Sequence, residues 1–476
     1  METFDFIVLG GGTAGVPAAL QVASIGCKVA IVEPLAVGGD AVFFSDIPSR
    51  ALSRVSDFFY QAKLNSEIGL NTATLSLNFP ITQRYKNLTV KNAAASISND
   101  CQKANITIFK GYGSFVDPTT IKVGEHLLSA KKILISIGSE IFLPEIQNIT
   151  TTSFLTADDV MNLPKLPKSI FIIGGGSCGC EMAEYFAKMG VKVTIAELAS
   201  RLLPKEDETT GTFVKNYFIK KLGINVLTGT RVEAVDKDKI SSKIMFIAQG
   251  TEQIVRTELI LLATGRSVNL SGLNLDDAGV RFSDSGIAVL PTLQTSHKNI
   301  FAAGDCIDSE RDSLSPQNPV SGFIAHHDSS SQKAILQGQI AAANAFPKSC
   351  KAARRKKVTA NYLGLSRITR LSPTVATIGI TEDEATRIGL DIKKSLVSLS
   401  QSSHNAISQD DGFLKLISDR SGNKLLGACI VAQGAESLVA VLSLALQNEL
   451  PISALASLQT PFLAYSDLIP IAAQRL

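Results

Sequence analysis

The chain has 476 residues, which at roughly 150 residues per domain points to about three domains. Lysine plus arginine exceed aspartate plus glutamate only by 46 to 43, so charge gives no reason to expect a nucleic acid or an anionic membrane as partner. Hydrophobic residues at 45% and charged residues at 19% exclude a disordered chain, and seven thinly spread cysteines exclude a secreted disulfide framework. No apolar run reaches the roughly 18 to 20 residues needed for a bilayer span. Glu2 and Asp5 stand where a signal peptide would be basic, so a cytoplasmic protein is expected.

Phe4 to Leu9 is a short, mostly apolar run that reads as a buried parallel strand, and it enters Gly10-Gly11-Gly12-Thr13-Ala14-Gly15. Ala14 to Ser24 reads as a helix stopped by Gly26, and Lys28 to Val32 as a second strand ending at Glu33. In this arrangement Gly10 permits the turn, Gly12 lets a pyrophosphate approach the backbone, and Gly15 lets helix and strand pack closely. The helix N-terminal amides face the phosphate charge, and Glu33 is placed to accept from the ribose hydroxyls.

The device recurs. Ser169 to Ile173 leads into Gly174-Gly175-Gly176-Ser177-Cys178-Gly179, a helix to Lys188, and a strand ending at Glu197. Glu33 follows Gly10 by 23 residues, and Glu197 follows Gly174 by 23, the separation of a dinucleotide fingerprint. Two such sites in one chain suggest two dinucleotides used together, and FAD with NAD(P)H is the economical pairing. Glu197 would bond a free 2′-hydroxyl and repel a 2′-phosphate, so NADH is the expected donor, although Arg201 could accept that phosphate.

These residues, together with later motifs, resemble the pyridine nucleotide-disulfide oxidoreductases, the class I family that includes dihydrolipoamide dehydrogenase and mercuric reductase. Ile135 to Ser139, with Gly138, is similar to the turn closing the first FAD segment, and Leu262-Ala263-Thr264-Gly265-Arg266 to the end of the NAD domain. Asn299 to Asp305 is similar to the second FAD motif, whose Asp contacts the ribityl chain. Pro373 to Glu382, Gly412 to Leu416 and Leu426 to Ala428 resemble an interface domain through which family members dimerise. The resemblance implies an α/β protein with two doubly wound dinucleotide-binding domains and a C-terminal α+β dimerisation domain. The FAD domain would comprise 1–155 and 285–347, the NAD(P) domain 156–284, and the dimerisation domain 358–476. A homodimer using FAD and NAD(P)H is implied. Gly38, Gly39, Asp40, Arg50, Gly113, Gly138, Ser139 and Asp305 join Gly10, Gly12, Gly15 and Glu33 around FAD, and Gly265 joins Gly174, Gly176, Gly179 and Glu197 around the second nucleotide.

The departures bear on function. The family's redox segment has the form GGTCxxxxCxPSK, and residues 38 to 50 here place Ala41 and Asp46 at its two cysteine positions. The family's C-terminal base, in a His-Pro-Thr-x-x-Glu segment, is replaced by Thr460, with Tyr465 at the glutamate. Thiol–disulfide exchange needs both a dithiol and a base, so losing them together disfavours the thiol-linked route. The family's Lys–Glu pair beside flavin N5 corresponds to Arg50 and Glu181, either a catalytic pair or a structural ion pair. Ser177 replaces an aromatic gate.

The expectation is therefore an FAD-dependent NAD(P)H oxidoreductase of quinone or diaphorase type, taking a small non-thiol electron acceptor. Soluble transhydrogenase and dihydrolipoamide dehydrogenase-like readings stay open, as does a non-catalytic flavoprotein with a binding role. Asp46 either donates a proton to a reduced quinone or sits as an acid at a helix N-terminus. Cys178 and Cys180 read as packing residues, since positions two apart on a helix diverge. The polar stretch 309–333, with His326 and His327, reads as a surface loop or lid, and Lys351 to Lys357 as a solvated linker. No metal site is expected. Ser437 to Gln447 reads as a helix buried in the interface domain or at a dimer seam.

Overall fold

Glu2–Leu9 (β1) is buried continuously from Phe6 to its end, the burial of a strand covered on both faces. A computed structural model describes residues 1–64, 69, 75–237, 241–308, 330–350 and 356–476. Residues 309–329, which hold His326 and His327, and 351–355 of the basic run lie outside the described residues. Two compact units emerge, one of residues 1–51, 83–142 and 266–362, the other of 52–82, 143–265 and 363–476.

In the first unit β1 is followed by α1 (Gly15–Ala23), β2 (Val29–Glu33), α2 (Gly39–Phe43), the start of α3 (Asp46–Leu64), α4 (Phe79–Lys103) and β3 (Thr107–Lys110). Strands β3, β2 and β1 run parallel in that order, and β1 pairs onward with His126–Ile135 in the register Ile7↔Ile133. The far half of His126–Ile135 takes Ile300–Ala302 as a further parallel neighbour, while its first half pairs antiparallel with Thr120–Val123. Parallel strands joined through helices make the doubly wound half expected of a nucleotide-binding sheet. Leu273, Leu275, Ala278 and Val280 complete this unit's core, and Arg266–Ser267 pairs with Glu140–Ile141.

The second unit repeats the plan on a smaller scale. Its parallel sheet has the order Asn225–Thr228, Lys192–Glu197, Ser169–Ile173, Leu259–Leu262, beside a three-stranded antiparallel sheet between Thr230 and Thr257. A five-stranded antiparallel sheet follows, made of Ser366–Thr369, Thr374–Gly379, Leu425–Ala432, Phe413–Asp419 and Ile392–Ser398 in spatial order. The helix Ala435–Gln447 buries Val439, Leu442 and Leu446 against it while leaving Leu444 59% exposed.

Two ion clusters sit inside this unit. Lys188 bonds Asp57 at 2.6 Å and Glu184 at 3.1 Å, and Tyr217 donates to Glu184. Burial raises the Glu184 carboxyl, and burial pulls on Lys188 too, but Glu184 and Asp57 hold it above its usual value. Lys415, with only 3% of its side chain exposed, bonds Asp207 at 2.9 Å and Glu382 at 2.6 Å.

Candidate active site: two nucleotide cradles

Gly10 ends β1 at φ +98°, a left-handed conformation, and a side chain there would overlap the Ser136 carbonyl. Gly174 repeats both features, at φ +109° against the Ala263 carbonyl. A Cβ on Gly15 would run into the Gly10 carbonyl, and one on Gly179 into the Gly174 carbonyl. The first and third glycines of each fingerprint are thus fixed by the protein's own packing.

The middle glycines differ. A Cβ built on Gly176 meets nothing within 4 Å, and one on Gly12 meets only the Gly39 Cα, at 3.8 Å. Their freedom from side chains serves something other than protein packing, which is what a pyrophosphate lying on the backbone requires. Neither following helix, Gly15–Ala23 or Ser177–Lys188, carries a side-chain cap at its N-terminus, the end whose dipole favours an anion.

The acids match atom for atom. Glu33 accepts from Gly11 N at 2.8 Å and Leu35 N at 3.0 Å; Glu197 accepts from Gly175 N at 2.6 Å and Ala199 N at 2.7 Å. Each is 9% exposed, and each carboxylate oxygen keeps further acceptor capacity toward ribose hydroxyls. These features fit dinucleotides in both cradles.

Around the first cradle the second loop closes backbone to backbone. Gly38 N donates to Gly11 O at 2.7 Å, and Gly39, at φ +61°, has no room for a Cβ, which would fall 2.6 Å from Gly12 Cα. Asp40 forms an ion pair with Arg266, whose guanidinium also donates to the Ser139 carbonyl and, at 2.8 Å through Nε, to Ser139 Oγ. Ser139 Oγ in turn donates to Asp305 at 2.8 Å. Arg266 has no role in the sequence reading, although the motif resembling the end of the NAD domain contains it. Gly138 takes φ +76° and Gly265 φ +103°, both without steric neighbours. Gly113 lies at a strand start where a Cβ would be 2.9 Å from Leu9 Cδ2, so tight packing on β1 already accounts for it.

Asp46 is the first residue of α3 and accepts from Ser331 Oγ at 2.6 Å. Ser331 opens the helix Ser331–Ala345, capped by Ser330, so the last three residues of the polar stretch form its first turn. That helix packs on the cradle helix: a Cβ on Gly338 would overlap the Ala14 carbonyl. Within it, fully buried Gln337 accepts from Gly304 N and donates to Tyr362. Arg50 lies one helical turn after Asp46, in the first unit. Glu181 belongs to the second unit, where it accepts from Arg370 N at 2.7 Å, and Ser177 Oγ meets Thr369 Oγ1 at 2.8 Å.

All seven cysteines are free, and none lies between Cys27 and Cys101. Cys178 is exposed whereas Cys180 is fully buried with its thiol on the Gly175 carbonyl, and burial raises that thiol well above its usual pKa. Cys306, beside Asp305, is pushed up to about 12 by burial. Tyr465 bonds Asn405 at 2.9 Å and Asp410 at 3.0 Å, and burial, then Asp410, raises it to about 12. Among the described residues no group of three or more His, Cys, Asp or Glu is placed to hold a metal ion, and no helix is long and apolar enough to cross a membrane.

Two doubly wound sheets, each with a glycine turn and a buried acid at the end of the next strand, followed by an antiparallel sheet, are the plan of a two-dinucleotide oxidoreductase. The chain belongs to the pyridine nucleotide-disulphide oxidoreductase family, whose pattern matches residues 4–338, with the family's dimerisation domain matching 365–469. Members of this family are FAD-dependent oxidoreductases that use NAD(P)H. The chain is 29% identical to a mercuric reductase of Lysinibacillus sphaericus over 99% of its length and 82% of the relative's. It is 30% identical to a dihydrolipoyl dehydrogenase of Bacillus subtilis (strain 168), covering 93% of this chain and 91% of that one. In fold it is similar to LpdA of Mycobacterium tuberculosis (TM-score 0.85, 21% identity, 100% of this chain and 99% of that one). It is equally similar to the Cu(II) complex of the HOCl-induced flavoprotein disulfide reductase RclA of Escherichia coli (TM-score 0.84, 21% identity, all of both chains).

Proposed function

We propose that the protein is a homodimeric, FAD-dependent NADH oxidoreductase that delivers reducing equivalents to a small non-thiol acceptor such as a quinone. The observation that carries this reading is the lack of a usable dithiol in the chain: no cysteine stands between Cys27 and Cys101, and Cys306 next to Asp305 is buried with a raised pKa. The one closely spaced pair, Cys178 and Cys180, has only its first member exposed. The names of the mercuric and dihydrolipoyl relatives point toward thiol-linked chemistry, which a chain with Ala41 and Asp46 in the resembling segment has no dithiol to perform.

When bound, FAD supplies two-electron transfer between the nicotinamide and the acceptor. Gly12 and Gly39 would hold its pyrophosphate, Glu33 its ribose, and Asp305, oriented by Ser139, its ribityl chain. Gly176 and Glu197 would hold NADH. Val42, in the short helix after Gly39, is buried, and Ala41 beside it is small, which suits a flat acceptor better than a charged one. We assign Asp46 the anchoring of Ser331, with proton delivery to the acceptor oxygen as the alternative role. An Asp46→Asn variant with unchanged quinone turnover and pH profile rules out proton delivery. Alkylation with N-ethylmaleimide of a Cys178→Ser variant, which removes the exposed thiol of the second cradle, tests the acceptor class: NADH–quinone turnover should survive it, and turnover lost in proportion to thiol labelling would overturn the proposal.

A further inference from the structure

We infer that the Arg201–Asp383 ion pair sets the nucleotide preference of the second cradle by withholding the one guanidinium that its ribose loop carries. This deepens the reading of that cradle as the NADH site and rests on it. The loop after Glu197 folds back over the fingerprint: Ala199 N donates to Glu197, and Leu203 N donates to Gly175 O at 2.8 Å. Arg201 lies between these two anchors. Recognising a 2′-phosphate calls for a guanidinium fork at this place, strong enough to offset the repulsion from Glu197.

In this protein the fork is already engaged. Arg201 Nη2 bonds the Asp383 carboxylate and the Pro204 carbonyl, and its stem lies over Gly211, where a Cβ would come 3.2 Å from Arg201 Cδ. Arg201 Nε is buried and has no hydrogen-bond partner among the described residues, so a donor is held in place without an acceptor. Asp383 is itself fixed. It sits in the first turn of Glu382–Arg387, which is closed by a reciprocal Thr381–Glu384 capping box. The neighbouring Glu382 N donates to Asp207 at 2.7 Å. A rigid carboxylate therefore competes with any 2′-phosphate for Arg201, and Glu197 is left to select the free hydroxyl.

The test is nucleotide affinity, read by fluorescence titration of the full-length, FAD-loaded protein with NADH and with NADPH, so that turnover is not needed. The wild type should bind NADH the more tightly. Asp383→Asn should tighten NADPH binding about tenfold, the gain of one charge-assisted hydrogen bond, and change NADH binding less than about twofold. Adding Arg201→Ala to that variant should return NADPH to its wild-type affinity. Asp383 is half exposed, so the variant is expected to fold; retained flavin absorbance and melting temperature check this, and Asp383→Ala repeats the measurement. Unchanged NADPH affinity in both Asp383 variants, with NADH still bound, overturns the inference and leaves the cradle assignment standing. A wild-type protein that binds neither nucleotide overturns the cradle assignment as well.

Discussion

Replacing one ribose acid by its amide separates the two cradles. Glu197 uses both carboxylate oxygens on backbone amides, at 2.6 and 2.7 Å, in a position only 9% exposed. In Glu197→Gln one of those amides must face an NH2 group, so one charge-assisted bond is lost and a buried donor is left unsatisfied, costing about 1.5–3 kcal/mol of stability. The ribose hydroxyls then meet a neutral acceptor rather than a charged one. That difference is about 1–1.5 kcal/mol, or roughly tenfold in NADH dissociation constant. FAD content should be unchanged, because Glu33 and its bonds to Gly11 and Leu35 are untouched. Glu33→Gln should do the reverse, loosening FAD while the apoprotein still binds NADH. Flavin absorbance after gel filtration and NADH fluorescence titration read the two sites separately. If Glu197→Gln released FAD and left NADH affinity intact, the order of the two cradles along the chain would be wrong.

Arg266→Ala should weaken FAD retention about tenfold, on the order of 1–1.5 kcal/mol, by freeing both Asp40 and Ser139; the pair is partly exposed, so the larger share comes from the lost Ser139 bonds. The check is the rate of flavin release by fluorescence, and an unchanged rate would show that Arg266 does not brace the cradle. Lys415→Met should cost about 3–5 kcal/mol, since it strands Asp207, only 3% exposed, without its cation. Denaturant unfolding measures this, and a loss below 1 kcal/mol would contradict it. The same cluster sets an acid limit. Burial tends to raise the Glu382 carboxyl, but Lys394 and Lys415 override it and hold the pKa low. Its contribution is therefore present above the ordinary glutamate pKa and lost as pH falls through the depressed folded value; in Lys415→Met that loss should shrink.

What could be read from the sequence was mostly local. Side chains at Gly15 and Gly179 would collide with the carbonyls of Gly10 and Gly174 five residues earlier, so their spacing carries that geometry, and the acids follow because each ends the next strand. Contacts spanning the chain had no such signal. Arg266 meets Asp40 across 226 residues, and Ser331 meets Asp46 across 285. Both pairings depend on a late segment returning to the first sheet, which no periodicity encodes. The 25-residue helix Phe79–Lys103 was likewise hidden, because most of its residues face solvent and its apolar stripe is weak. Tyr465 shows the opposite limit: its mismatch with the family's glutamate was visible at once, but its place in an Asn405–Asp410 network was not.

The most direct test of a hydride relay without a dithiol is an anaerobic NADH titration of the FAD-loaded protein, followed by visible absorbance. One equivalent of NADH should bleach the yellow flavin directly, with no long-wavelength thiolate–flavin band, and a quinone added afterwards should restore the colour. A long-wavelength band on reduction, or a flavin spectrum that neither NADH nor NADPH changes, would contradict it.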